Sequence, residues 1–299
     1  MIFVQIAAYR DPQLLPTIYS CLMKADNPKR INFGVVEQTL PDDPIVNFPQ
    51  QCKHRRIHVA DCKGVCYARH LANQFYDRED YYLQIDSHTR FDQGWDTALI
   101  KQLNETTKPN PVFTMYPSGW HLDPAGKDVI EHNASNVTIC SGFRADGSVI
   151  LEPRGMPEKR AMNARFLAGG FIFTTGDFVE NVKDDPRIYW IGEELLLSVQ
   201  AFTHGYDILN PAYCPIYHFY TRTGAPRVWD NVPNWHAGNA TSLQLVNHCL
   251  TEDYAYFGNL RTVPEYEEYS GLNFKARTLT DAVQTGKEPP DIRTFPRIW

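Results

Sequence analysis

Asp86 and His88 stand two residues apart in YYLQIDSHTRF, residues 81–91, where an apolar run gives way to polar chain. Alternate side chains of an extended segment share a face, so both groups project to one side. An ionised Asp only accepts, and a neutral His offers one imidazole lone pair. Such a D-x-H triplet can chelate a divalent cation, and its mixed oxygen and nitrogen donors suit manganese or magnesium better than a structural zinc site. The plainer alternative is that Asp86 caps a following helix and His88 is a surface loop residue, because short motifs also arise by chance. Cys62 and Cys66, separated by three residues, lack the second ligand pair that a zinc finger needs.

A ligand at residue 86 needs a rigid element behind it, and YYLQI has the length and composition of a strand. The chain opens on another strand, IFVQIAAY, followed by DPQLLPTIYSCLMKA, where Asp and Pro precede a helical repeat of Leu14, Ile18, Cys21 and Leu22. RINFGVVEQ, residues 30–38, and RRIHVADC, residues 55–62, read as further strands. KGVCYARHLANQFYDRED reads as a helix with Val65, Ala68, Leu71, Ala72 and Phe75 on one face. Alternating strands and helices predict an α/β fold, a mostly parallel mixed sheet flanked by helices, which binds ligands at the carboxyl ends of its strands. Asp86 closes such a strand.

Beyond it, GWDTALIKQL reads as a helix and PVFTMYP as a strand, and residues 117–165, rich in Gly, Pro and Asn, predict irregular or antiparallel structure. FLAGGFIFTTGDFVENV, WIGEELLLSVQAFTHGYDI and YCPIYHFYTR then predict strand, helix and strand. We expect a core over residues 1–222 and a C-terminal extension over 223–299, a lid or acceptor region with a helix at TSLQLVNHCL.

The 299 residues are 43% hydrophobic, enough for a large buried core. A formal charge of −6 argues against a nucleic-acid surface, which needs clustered Lys and Arg, so an anionic ligand must be met locally. No stretch approaches the roughly 20 apolar residues of a membrane-spanning helix, and the short opening run without a basic leader reads as a strand, not a signal peptide. Seven cysteines form no disulfide framework, which points to free thiols and a cytoplasmic location.

In order along the chain, AAYRDPQLLPTI, RINFGVVEQ, CKGVCYARHLANQFY, YYLQIDSHTRF, FLAGGFIF, WIGEELLLSVQAFTHGYD, IYHFYTR and FGNLRTVPEYEEYSGLNF resemble the cytoplasmic polypeptide α-N-acetylglucosaminyltransferases that act on hydroxyproline, and more distantly the mucin-type polypeptide GalNAc-transferases. Residues from about 117 to 160 and the last twenty-odd lie outside the resemblance. It implies a GT-A glycosyltransferase fold, Rossmann-like, with UDP-sugar as donor and Mn2+ or Mg2+ as cofactor. The acceptor is a protein or glycan hydroxyl, and self-association is compatible with the pattern.

The resemblance carries residue roles with it. Asp86 and His88 match the metal motif and His218, in YHFY, the third ligand; a core histidine is the other reading of His218. Arg69 matches a basic residue near the nucleotide. Ala7, Tyr9 and Arg10 fall where the uridine would lie, with Ser87 beside the metal motif, and Tyr9 either stacks on the base or packs. Gly169 and Gly170 permit close approach to the sugar, although paired glycines also mark bends. Glu193 and Glu194 match an acidic pair facing the sugar hydroxyls, though the helix dipole alone favours acids there; Trp190 covers a sugar face or is buried. Trp229, Trp235 and His236 form an acceptor contact or closing loop, or else anchor the tail.

The reaction so implied is metal-dependent transfer of GlcNAc, or a related HexNAc or hexose, with retention of configuration. Three alternatives remain at this stage: an inverting transferase building a surface polysaccharide with Glu193 or Glu194 as base, a catalytically silent sugar-nucleotide-binding protein, and a metal-dependent phosphoesterase. The phosphoesterase lacks a second acidic metal cluster.

Overall fold

Strand β1 (Ile2–Tyr9) is buried at almost every position, so both its faces need cover. Helix α1 (Leu14–Lys24) covers one: Leu14, Ile18 and Cys21 recur at helical spacing and pack on Phe33 and Val35 of β2 (Ile31–Thr39). Beyond β3 (Cys52–His58), helix α2 (Val65–Asn73) covers the other, with Ala68, Leu71 and Ala72 against Val36. Val35 and Val36 therefore point to opposite layers, as the two-residue strand period requires. The structure, a computed structural model, describes residues 1–131, 135–155, 160–222 and 224–291. Parts of the irregular region and the domain limit expected at residue 223 fall outside them.

Next come β4 (Tyr81–Asp86), β5 (Thr89–Phe91), α3 (Trp95–Glu105) and β6 (Pro111–Thr114). The segment expected to be antiparallel forms β7 (Ser118–Leu122) with β8 (Asp128–Ile130), and a hairpin of β9 (Asn136–Phe143) with β10 (Val149–Gly155). Short β11 (Met162–Asn163) precedes β12 (Phe171–Thr175), α4 (Phe178–Asn181), α5 (Glu193–Thr203), β13 (Asp207–Asn210) and β14 (Ile216–His218). The main sheet has eight strands in the order β11-β13-β6-β12-β4-β1-β2-β3. Its β4-β1-β2-β3 half and the β13-β6 pair are parallel, while β12 runs antiparallel between β6 and β4 and β11 antiparallel on the edge. The expected α/β architecture is present as a mixed sheet.

A second sheet, β5-β14-β7-β8, stands where the parallel strands end. The C-terminal residues form α6 (Val228–Asn231), α7 (Trp235–Thr251) and α8 (Val263–Ser270). Leu243, Val246 and Leu250 of α7 and Tyr266 and Tyr269 of α8 join Leu195, Leu196 and Phe202 of α5 in one cluster. Burying side chains of this size stabilises by about 1.5–3 kcal/mol each, so the tail is held by the same core as the sheet.

Three element limits differ from the sequence reading. The third strand stops at His58, because Val59–Asp61 turns into a 3-10 helix whose Ala60 amide donates to His58 Nδ1. The helix from residue 65 stops at Asn73, whose side chain donates to Asp184, and Arg78 then takes a left-handed conformation no helix accommodates. The tail helix starts at Trp235, ahead of TSLQLVNHCL, since Trp235 and the small residues after it continue its axis.

Candidate functional site

β4 is buried from Tyr82 to Ile85, and the chain emerges at Asp86, whose side chain is 29% exposed. No helix follows for Asp86 to cap. The chain turns through Ser87 and His88 into β5, which pairs antiparallel with β14 so that Thr89 stands opposite His218. That register brings a side chain 132 residues away in sequence to the metal motif. The turn is pinned: Thr17 Oγ1 donates to the Ser87 carbonyl at 2.9 Å, the Thr89 amide donates back to it at 2.9 Å, and Trp120 Nε1 donates to the His88 carbonyl at 3.0 Å.

Asp86 Oδ2 and His218 Nε2 are 3.0 Å apart, the His88 and His218 rings are 4.5 Å apart, and one ligand atom from each of the three residues lies within 4.8 Å of the others. An octahedral shell with bonds of about 2.1 Å sets neighbouring ligand atoms about 3 Å apart; Asp86 Oδ2 and His218 Nε2 stand at that spacing, and His88 adds a nearby nitrogen to an oxygen and nitrogen donor set suited to manganese or magnesium. A second observation supports the fit. His88 Nδ1 lies 2.8 Å from Asp11 Oδ2, the carboxylate–histidine pairing that fixes a metal-binding tautomer and leaves Nε2 its lone pair. Burial pushes His88 below the ordinary histidine value, against the pull of Asp11, which favours the neutral ligand form. Burial would raise Asp86, but the His218 hydrogen bond and the Arg69 charge outweigh it and hold the carboxyl well below the usual range.

Asp11 was not among the residues singled out from sequence, where it reads only as the start of a helix. It is buried, it accepts from Ser87 Oγ at 2.8 Å and the Gln13 amide at 2.9 Å, and it pairs with Arg222 at 3.0 Å. Arg222, at the end of the quoted segment IYHFYTR, was missed as well.

Arg69 is 2% exposed and faces carboxylates. Its Nη2 donates to Asp86 Oδ1 at 3.0 Å and to the Gly169 carbonyl at 2.9 Å, and its Nη1 pairs with Glu193. The guanidinium thus turns one oxygen of Asp86 inward and leaves the other for His218. Gly169 and Gly170 leave room for this packing: a Cβ on Gly169 would lie 2.9 Å from Arg69 Nη1, and one on Gly170 3.2 Å from Asp86 Oδ2, so either would press on the cluster. Gly192, at φ +95°, opens α5 and aims its first two residues at the site. Glu194 Oε1 accepts from the Gly169 amide and Oε2 from Tyr116, both at 2.7 Å, and burial raises its carboxyl despite these bonds. Tyr116 is a further residue the sequence reading did not single out.

Two cavities meet at this cluster. The first, about 290 Å³, is lined by Ala7, Tyr9, Asp86, Ser87, His88 and His218, with Arg222 and Trp229 at its other side. Burial pushes the Tyr9 hydroxyl up to about 12, and it donates to Asn231 Oδ1 at 3.2 Å. The second, about 400 Å³, is lined by Arg69, Asp86, Tyr116, Gly169, Gly170, Glu193 and Glu194. Trp190, 46% exposed, lines both and forms the ridge between them. Its ring stands 6.0 Å from Trp229 and 6.4 Å from Trp235, and the Trp235 and His236 rings lie 3.8 Å apart, tilted by 34°. Trp235 and His236 line neither cavity. Nor does Arg10: it adopts φ 45° and turns away to Asp43 at 2.7 Å and Asn231 at 3.0 Å.

The fold has known likenesses. The chain superimposes on a crystal structure of GalNAc-T7 with UDP, GalNAc and Mn2+ with a TM-score of 0.58 at 12% identity, covering 89% of this chain and 53% of that one. It thus spans about half of that protein's length. A crystal structure of S. aureus TarS residues 1–349 follows with a TM-score of 0.49 at 12% identity, over 90% of this chain and 69% of that one. Likeness at this identity speaks for the GT-A fold alone. No curated protein sequence matches the chain. No helix among the described residues is long and apolar enough to cross a membrane. The model of the Glycosyltransferase (GlcNAc) family matches residues 1–50 and 45–276, nearly the whole chain, and the protein is therefore a member of that glycosyltransferase family.

Proposed function

We propose that the protein is a metal-dependent, retaining transferase that moves GlcNAc, or a related HexNAc or hexose, from a UDP donor to a hydroxyl of a protein or glycan. The observation that carries this reading is the convergence of Asp86, His88 and His218 at a strand end, with ligand atoms within 4.8 Å of one another. GalNAc-T7, whose crystal structure contains UDP, GalNAc and Mn2+, supplies the precedent for the donor class and metal. A divalent cation held by these three residues would neutralise the diphosphate as it departs.

The remaining work belongs to the chain itself. Ala7 and Tyr9 flank the base in the smaller cavity, and Ser87 and Arg222 face the phosphates beside the metal ligands. Arg69 is a positioning residue, since its guanidinium is engaged by Asp86 and Glu193. The sugar occupies the second cavity, against Gly169, Gly170 and Glu194, with Trp190 at its edge. Both carboxylates that begin α5 already have partners, Glu193 on Arg69 and Glu194 on Tyr116 and Gly169. With both held in these positions, we read a retaining path that needs no side-chain base: the acceptor oxygen bonds to the anomeric carbon on the face UDP leaves as the bond to UDP breaks, and its proton passes to the departing β-phosphate. Preorganised charge at the leaving group is the main source of rate in such a step. The extension expected over residues 223–299 would meet the acceptor, and Trp229 within it lines the first cavity. The seven free thiols suit the cytoplasmic setting expected from sequence.

UDP release from a panel of UDP-sugars, with and without Mn2+, tests the reading. Manganese-dependent release, fastest with UDP-GlcNAc and lost in Asp86→Asn, is expected; release indifferent to metal and to that substitution would refute it. The anomeric configuration of the product separates retention from inversion.

A further inference from the structure

Strands β1 and β4 are apolar runs, and each is broken by one glutamine, Gln5 in IFVQIAAY and Gln84 in YYLQI. The two stand opposite each other in the parallel register of β1 on β4, and neither is more than 1% exposed. A buried amide costs free energy unless its ends are bonded, and an aliphatic side chain would fill the same space without that demand. Both ends of Gln84 are committed. Its Oε1 accepts from the Tyr82 hydroxyl at 2.9 Å, and its Nε2 donates to the Gly169 carbonyl at 2.9 Å. Tyr82, Gln84 and Asp86 alternate along β4, so all three share one face, with Gln84 directly behind Asp86.

The Gly169 carbonyl has a second donor. Arg69 Nη2 donates to it at 2.9 Å and to Asp86 Oδ1 at 3.0 Å. Glycine offers no side chain for packing to hold, so the placement of this peptide rests on its hydrogen bonds: the amide on Glu194, the carbonyl on Arg69 and Gln84. The Arg69 main chain is braced in turn by Gln5, whose Nε2 donates to its carbonyl at 3.3 Å and to Asp184 Oδ2 at 3.0 Å. The same Asp184 oxygen accepts from Asn73 at 2.9 Å, which ties the brace to the end of α2. The chain of bonds therefore runs from Tyr82 through Gln84, Gly169 and Arg69 to Asp86, and ends on the carboxylate whose other oxygen lies 3.0 Å from His218. Bonds in such a buried chain polarise one another, so the loss of an inner member is felt at its end.

We propose that Gln84 is a positioning residue for the cation site: through the Gly169 carbonyl it fixes the Arg69 fork, and the fork turns Asp86 so that Oδ2 faces His218. The proposal rests on the cation-site reading above. Manganese titration of the full chain, with free Mn2+ followed by electron paramagnetic resonance, tests it without any sugar donor. Gln84→Leu should weaken manganese binding by about tenfold, as loss of a group behind a metal ligand does, with the melting transition still cooperative. Tyr82→Phe, which frees only the far end of the Gln84 amide, should weaken it by a smaller factor, and it carries the test should Gln84→Leu fail to fold. Arg69→Lys keeps the positive charge but lacks the fork that reaches Gly169 and Asp86 together, so in that background Gln84→Leu should cost little further affinity. Wild-type affinity in the folded variants, or the same fold loss from Gln84→Leu in both Arg69 backgrounds, would overturn the proposal and leave the cation site standing. No manganese bound by the wild-type chain would overturn the cation-site reading and the proposal with it.

Discussion

The carboxylate–histidine end of the site and its aromatic rim are built in different ways. Asp86, His88 and His218 are fixed by strand pairing and by three hydrogen bonds to the backbone of one turn. The rim is held by a few side-chain contacts: Tyr9 and Arg10 on Asn231, and indole rings 5.6–6.4 Å apart. α6 itself is a single turn with no buried residue. A site of this kind keeps its charged centre rigid and leaves the entrance to adjust, as donor entry and product release require.

Substitutions can break or sharpen that contrast. Asp86→Asn keeps the shape and removes the charge, so sugar transfer should fall by about 10³-fold with the melting transition still cooperative; near-normal turnover would mean the rigid end is not the reactive one. Arg69→Met leaves Glu193 buried without its cation and should destabilise by about 3 kcal/mol, read from denaturant unfolding. Asp11→Ala removes the acceptor that orients the His88 ring and should weaken manganese affinity by about 10–100-fold, with kcat at saturating metal much less affected. Asn231→Ala, on the rim, should change KM for the donor by only a few fold and leave metal affinity unchanged.

The smallest effect is a pH dependence. Burial raises Glu194 above the ordinary glutamate value, so folding favours its neutral form. Its contribution to stability is therefore full below the unfolded-state value and declines as pH rises through the folded-state value. Glu194→Gln should remove that decline, so wild type loses stability relative to the variant above about pH 4; parallel stability curves would show that Tyr116 and Gly169 compensate fully.

The core strands were legible because parallel strands covered on both faces read as continuous apolar runs, and β1, β2 and β4 each do. Helix ends were less so: α2 stops early because Asn73 finds a tertiary partner, Asp184, which local periodicity does not encode. In the site, Asp86 and His88 stand out because they interrupt an apolar strand. Asp11 does not, since an Asp before a helix has an ordinary local role, and only the fold brings it to His88. Tyr116 and Arg222 are hidden in the same way, by contacts made across distant segments. Arg10 looked like a donor contact from its place after β1, but a left-handed backbone turns it to Asp43.

Anomalous scattering from crystals soaked in Mn2+ and UDP is the most direct measurement. A manganese peak in contact with Asp86, His88 and His218, with the diphosphate as its remaining neighbour, is the predicted result. A peak bound elsewhere, or UDP seated with those three side chains untouched, would contradict the site.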